Sequence, residues 1–188
     1  MAIVVVGGSG KDVGKTGLVC AVISALPEFA WTAVKVTGHD YGSVGRGKGL
    51  EAAIREETSA GGETDTGRYL AAGAKRALLV TRVGEEVPIE EIRRAVSADR
   101  NVIFESNRVV EFVEPDVCLA LVGCVEWKSS FERLLRVADA VVIVGHGEAK
   151  DVPEGVARFD LERTDCLPEE MVGWLRTRLC LAHGEKLR

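Results

Sequence analysis

The sequence is poor in histidine, has no closely paired cysteines and contains no long apolar run. Three histidines in 188 residues exclude a histidine-rich metal cluster. The five cysteines (Cys20, Cys118, Cys124, Cys166 and Cys180) are odd in number, scattered and never spaced C-x-x-C. Neither a disulfide framework nor a zinc ribbon is expected from them. Cys20 and Cys180 fall in helical patterns and Cys118 in an apolar strand, where each reads as a small buried hydrophobe. No apolar stretch approaches the ~20 residues that span a bilayer. Met1 leads straight into a strand, with no basic region or cleavage-like site, so a cytoplasmic location is expected. Positive charge is not in excess either: 24 Lys+Arg stand against 29 Asp+Glu, a net charge of −5, with a pI near 5.4. That balance argues against a protein that grips nucleic acid or an anionic membrane by a basic face. What remains is an ordinary globular composition, 46% hydrophobic and 28% charged, expected to form one domain over residues 1–188 with its own core.

Apolar runs of strand length alternate with segments of helical period. Strands are expected at 2–7, 31–37, 77–80, 102–104, 117–122 and 140–144, with a short edge strand at 159–161. Helices are expected at 16–26, 64–73, 88–98, 129–138 and 168–183, the last burying Met171, Trp174, Leu175 and Leu179 along one stripe. This alternation predicts an α/β architecture in three layers: a mostly parallel central sheet with helices on both faces. Residues 40–63 interrupt it. The segment holds Gly42, Gly45, Gly47, Gly49, Gly61 and Gly62 and is too long for a routine connection. It reads either as a lid over a site, with a short helix at 50–57, or as a surface insertion.

The strongest local signal is G-G-S-G-K-D-V-G-K-T at 7–16, directly after a strand and directly before a helix. A glycine-rich turn lets successive backbone N–H groups converge on phosphate oxygens, and the helix adds the positive end of its dipole. Gly8, Ser9, Gly10, Lys11, Asp12, Val13, Gly14, Lys15, Thr16 and Gly17 are therefore the candidate nucleotide-binding residues. Within this loop Gly14 permits close approach, Lys15 reaches the phosphates and the Thr16 hydroxyl is a Mg²⁺ ligand. The pattern G-x-x-x-x-G-K-[ST] is met except at its first position, where Ser9 stands between Gly8 and Gly10.

A phosphate loop needs a metal and a group to hold it. Val102-Ile103-Phe104-Glu105 is an apolar strand ending in a carboxylate, which at the carboxyl end of a central parallel strand faces the loop. Glu105 is thus a candidate metal ligand and catalytic residue, and Ser106 and Asn107 are candidates to orient water or substrate. Lys35 ends the second strand near the mouth, followed by His39 and Asp40. Asp65 opens a helix, either as a metal ligand or as an acid stabilised by the helix dipole. No N-K-x-D string is present. After the late strand, Asp151 is either an acceptor for a guanine or a turn residue before Pro153, so GTP and ATP both stay open.

Taken in order (GKT; V-K-x-x-x-H-D; D-T-x-R-x-x-A-A-G-A; h-h-h-E; a late F-D-L before a final helix), the chain resembles the molybdopterin-guanine dinucleotide biosynthesis protein B family. More broadly it is similar to the group containing dethiobiotin synthetase and nitrogenase-iron-protein-type ATPases. The resemblance implies a P-loop NTPase fold with GTP or ATP and Mg²⁺ as cofactors. It implies Lys15 on the phosphates, Thr16, Asp65 and Glu105 around the metal, and Lys35 and His39 toward a substrate or the γ-phosphate. It further implies a homodimer, a molybdenum-cofactor partner protein, and weak or partner-dependent hydrolysis, with Arg46 and Arg68 as candidate charge-compensating arginines. An ATP-dependent small-molecule kinase or ligase of the dethiobiotin synthetase type is the alternative. A non-catalytic interaction module is the third possibility, opposed by the intact Gly14-Lys15-Thr16 and Glu105.

Overall fold

Strand residues alternate strictly between two apolar clusters, and this alternation builds the three layers. A computed structural model describes residues 1–38, 53–82, 86–123, 127–145, 152 and 155–185. In β1 (Ala2–Gly8) Ala2, Val4 and Val6 point into one cluster while Val5 points into the other. In β6 (Val117–Val122) Val117, Leu119 and Leu121 join the first cluster, and Cys118, Ala120 and Val122 the second. Both strands are buried on both faces, which is why they read as unbroken apolar runs.

The first cluster is covered by α1 (Lys15–Ala25), α2 (Asp65–Ala71) and α5 (Glu169–Glu185) through Leu18, Val22, Tyr69, Met171, Leu175 and Leu179. The second is covered by α3 (Ile89–Ala95) and α4 (Ser129–Leu135) through Ile92, Phe131, Leu134 and Leu135. Between them lie β2 (Thr32–Thr37), β3 (Ala53–Glu56), β4 (Arg76–Thr81), β5 (Asn101–Glu105), β7 (Ala140–Val144) and β8 (Ala157–Leu161). Among the described residues the sheet has eight strands in the order β3-β4-β2-β5-β1-β6-β7-β8. All neighbours are parallel except β3, which runs antiparallel to β4. β1 sits between β5 and β6, so the chain leaves it in one direction through α1 and later crosses it from β5 to β6. Their carboxyl ends open a crevice at this switch point, where open α/β sheets bind ligands. The three-layer α/β architecture expected from the sequence is the one observed.

Three expectations need correction. Within the stretch expected as a short helix, 53–56 form strand β3 instead. Ile54 lies opposite Val80 and packs on the second cluster, and Glu56 forms an ion pair with Arg76 of β4 at 2.9 Å. A free edge on β4 rewards an extended chain with both contacts, and residues 40–52 lie outside the described set. Cys180 is exposed on α5 rather than buried, because the helix turns Leu179 inward and its neighbour outward. Trp174 is only half-buried in its stripe, sharing an edge contact with Phe159 at 5.5 Å between ring centroids. Cys118 is fully buried, and burial pushes its thiol up to about 12. No helix among the described residues is long and apolar enough to cross a membrane.

Candidate active site

The loop after β1 is held from beneath by side chains that the motif does not contain. The Asn107 carboxamide accepts from Gly8 N at 2.8 Å and donates to Gly8 O at 2.9 Å, continuing the β5–β1 ladder with a side chain. Asn107 thus anchors the loop backbone while also lining the cavity and donating to Ser130 Oγ at 3.4 Å. Ser9 is fully buried. Its N–H donates to Leu121 O at 2.9 Å and its hydroxyl accepts from Gly123 N at 3.2 Å. Its backbone is not among the left-handed positions, so this site does not need glycine and gains a hydrogen bond from serine. The left-handed residues of the loop are Asp12, at φ 58°, and Gly14, at φ 99°.

α1 then starts with no capping side chain and no acid in its first turn. Its leading N–H groups and dipole are left for a ligand. Lys15 lies along the loop, donating to Gly10 O at 2.8 Å, and burial holds its ammonium below the ordinary lysine range. From the other side Thr164, in the turn between β8 and α5, presses on the helix start. A Cβ on Gly14 would meet Thr164 Cγ2 at 2.7 Å, and one on Gly17 would meet Thr164 Oγ1 at 2.4 Å.

Beside the loop, the strand-end carboxylate organises a cluster. Glu105 is 5% exposed. It accepts from Thr16 Oγ1 at 2.8 Å, from Lys35 Nζ at 2.9 Å and from the Tyr69 hydroxyl. Lys35 also donates to Asp65. Burial disfavours the charge on Lys35, but Glu105 and Asp65 outweigh it and its pKa lies above the usual value. Burial likewise acts against ionised Asp65, yet Lys35, with the Thr16 hydroxyl and Arg68, holds that carboxyl below its usual range. Asp65 and Tyr69 are one turn apart on α2 and share a face. The helix is set by Thr64, whose hydroxyl accepts from Gly67 N at 2.9 Å and donates to Glu57 Oε2 at 2.9 Å. Asp65 and Glu105 are hard oxygen donors already gathered on one cation, the Lys35 ammonium, and the Thr16 hydroxyl lies against Glu105, so the set fits Mg²⁺. Among the described residues no group of three His, Cys, Asp or Glu side chains forms a complete metal cluster; a metal here would complete its shell with phosphate oxygens and water.

These residues line one cavity of about 520 Å³ at the carboxyl ends of the strands. Of the candidate loop residues, Gly8, Gly10, Lys11, Asp12, Gly14, Lys15, Thr16 and Gly17 line it, while Ser9 and Val13 do not. Lys35, Asp65, Arg68 and Glu105 do, whereas Asp151, His39 and Arg46 lie outside the described residues. The cavity also gathers Arg82, Arg108 and Lys128, which sequence reading missed. They follow β4, β5 and β6 at a few residues' distance, and only the order of strands brings those ends together. Tyr69 had a readable signal in its spacing from Asp65; Thr164 had none. Among the described residues its lining carries seven cations (Lys11, Lys15, Lys35, Arg68, Arg82, Arg108, Lys128) against three carboxylates (Asp12, Asp65, Glu105). In a chain of net charge −5 this concentrates positive potential where a polyanion would bind.

Tyr69 is fully buried, and burial followed by the charge of Glu105 raises its pKa well above the usual phenol value, so it stays a donor. Tyr69→Phe is expected to cost about 1–3 kcal/mol by removing one of the groups that hold a buried carboxylate. Thermal unfolding checks it, and an unchanged Tm would mean that Thr16 and Lys35 suffice to hold Glu105.

The sheet order, the loop between β1 and α1 and the carboxylate ending β5 define a class: this is the P-loop NTPase fold. Two solved structures share it at low identity. One is LpxK from Aquifex aeolicus in complex with ATP (TM-score 0.53, 16% identity, 85% of this chain and 53% of that one). The other is HypB from Helicobacter pylori in complex with nickel (TM-score 0.56, 14% identity, 96% of this chain and 88% of that one). The chain therefore spans about half the length of LpxK and most of HypB. No family model matches the sequence, and no curated protein matches it.

Proposed function

We propose that this chain, acting as one unit over residues 1–188, is a Mg²⁺-dependent nucleoside triphosphate-binding protein with slow or partner-dependent hydrolysis. The observation that carries the reading is the uncapped start of α1, with Lys15 lying along its loop and Thr16 bonded to the buried Glu105. In this reading the N–H groups of the loop and of the first turn of α1 cradle the phosphates, and Lys15 neutralises the oxygens on which charge develops. Thr16, Asp65 and Glu105 hold Mg²⁺, which when bound supplies further charge neutralisation. Tyr69 fixes the rotamer of Glu105, and Lys35 balances the two carboxylates.

Slow turnover follows from what is missing: the chain contains no glutamine, so no Gln side chain can position an attacking water. Arg68 lines the cavity but leans toward Asp65, at 3.9 Å. A partner would then supply the remaining charge. By its resemblance to the molybdopterin-guanine dinucleotide biosynthesis protein B family, we assign that partner to molybdenum cofactor assembly, with GTP or ATP as the nucleotide and a homodimer as the working form.

A kinase or ligase reading of the dethiobiotin synthetase type draws support from the cavity's extent, since it continues past the loop to Lys35, Thr37 and Gly38 at the end of β2. ADP formed only when an acceptor is added would favour it. The nucleotide reading is tested by thermal unfolding with Mg²⁺ and either GTP or ATP. At 100 times its Kd a ligand adds about 2.7 kcal/mol, which is roughly 5–10 °C for a domain of this size. A rise with one nucleotide is expected; no rise with either would overturn the proposal.

A further inference from the structure

We propose that the Lys35 ammonium and a divalent cation compete for one place, between Asp65 and Glu105, so that the protein takes up Mg²⁺ only together with a nucleotide. This exchange rests on the nucleotide-binding reading of the loop and adds when the metal can enter.

Strand alternation brings Lys35 to this place. Ala33 belongs to the first apolar cluster and Val34 to the second, so Lys35 points to the first, toward α1 and α2. Ile103 and Phe104 divide in the same way and send Glu105 to the same face. Lys35 and Glu105 are direct partners in the parallel register of β2 and β5. Asp65 comes from the first turn of α2, which covers that face through Tyr69. The ammonium bridges the two acids: Nζ donates to Glu105 Oε1 at 2.9 Å and to Asp65 Oδ2.

The carboxylate oxygens are therefore in use. Glu105 Oε1 faces Lys35, while Oε2 accepts from Thr16 and Tyr69. Asp65 Oδ2 faces Lys35, and Oδ1 lies 3.9 Å from Arg68. A metal ligated by both acids needs the point where Nζ stands, and repulsion keeps two cations from sharing it. The side chain of Lys35 is only 13% exposed and lines the same cavity as Lys15 and Thr16, so a displaced ammonium stays within that cavity. Among the described residues the lining already holds seven cations against three carboxylates, and two of those three are this pair. Adding a dication to that lining is opposed by its charge, and Mg²⁺ gives up water reluctantly. A polyphosphate on the loop reverses the balance and offers Lys35 an anion in place of the two it leaves. Lys35 thus balances the acids until nucleotide and metal arrive together.

The test is calorimetric titration of Mg²⁺ alone into nucleotide-free wild type, Lys35→Gln and Lys35→Met. Each variant is expected to bind at least about tenfold more tightly than wild type, and the gain is expected to vanish in Lys35→Gln/Asp65→Asn. Gln keeps an N–H donor for Glu105, which protects the fold while removing the charge. Thermal unfolding gives a second readout. Without metal the variants should melt roughly 5–15 °C below wild type, because two carboxylates lose their counter-ion. Mg²⁺ alone should restore part of that loss and leave wild type unmoved. Wild-type protein that binds Mg²⁺ as tightly without nucleotide as with it would overturn the proposal, whether or not the variants fold. So would variants that bind Mg²⁺ no better than wild type, or a gain that survives Asp65→Asn. A nucleotide response in wild type with no gain in the variants would sink this inference alone. No nucleotide response, with the gain present, would leave the competition at the acids standing and sink the nucleotide reading.

Discussion

Lys15→Ala is expected to erase the nucleotide-dependent rise in Tm without lowering the Tm of the free protein. The two halves of that result have different causes. Contacts between an ammonium and phosphate oxygens contribute about 1.5–3 kcal/mol each, so losing Lys15 weakens binding by roughly 10- to 100-fold or more. A ligand that sat at 100 times its Kd then sits near its Kd, and its stabilisation falls from about 2.7 to about 0.4 kcal/mol. In the free protein Lys15 is held below its usual pKa by burial. The sign follows from linkage: a lysine whose folded pKa lies below its unfolded one favours the unfolded chain at any pH below the unfolded value. Removing it relieves that cost and gives up the bond to Gly10 O and the attractions of Glu105 and Asp12, which burial outweighs. A free-protein Tm that drops by many degrees would show that Lys15 is a structural residue, and a retained nucleotide shift would take it off the phosphates.

The second large effect concerns two glycines that look alike in sequence and differ in backbone. Gly14 is left-handed, at φ 99°, and Gly17 is helical; a Cβ on either strikes Thr164. Gly14→Ala is expected to cost about 2–4 kcal/mol, combining backbone strain with overpacking, a fall in Tm of roughly 5–15 °C. Gly17→Ala pays only the overpacking, about 1–3 kcal/mol, less about 1 kcal/mol returned as helix propensity. Adding Thr164→Ala separates them. The 2.4 Å clash at Gly17 becomes a 3.3 Å contact with Thr164 Cβ, so the Gly17→Ala/Thr164→Ala pair should match or exceed Thr164→Ala alone. For Gly14 the strain remains, and the corresponding pair should stay less stable than Thr164→Ala. Equal rescue of both glycines, read from thermal unfolding of the six proteins, would show that the backbone of residue 14 carries no strain.

Much of the architecture was legible because its causes are local. Continuous apolar runs at 2–7 and 117–122 demand cover on both faces, and helical spacing between runs supplies it. The loop at 7–16 declared itself by a glycine-rich turn between a strand and a helix. Strand β3 was hidden for a non-local reason: A-I-R-E at 53–56 has no strong preference, and the free edge of β4, with Val80 and Arg76 to receive Ile54 and Glu56, decided its conformation. Ser9 stood out as a departure from the motif, but its meaning lay in the Gly123 N–H, 114 residues away in the chain.

By itself, then, the sequence determined the class of fold, the position of the phosphate-type loop and the acid at the end of β5. These follow from periodicity, from glycine's backbone freedom and from the need to bury apolar strands. Tertiary structure alone decided which strand ends meet around the loop. It set Lys35 between Asp65 and Glu105, put Tyr69 behind that carboxylate and Asn107 beneath Gly8, and brought Arg82 and Arg108 to either side of β2. The physical reason is that strand order depends on how helices pack on both faces of the sheet. No residue-by-residue pattern records which carboxyl ends that packing leaves side by side.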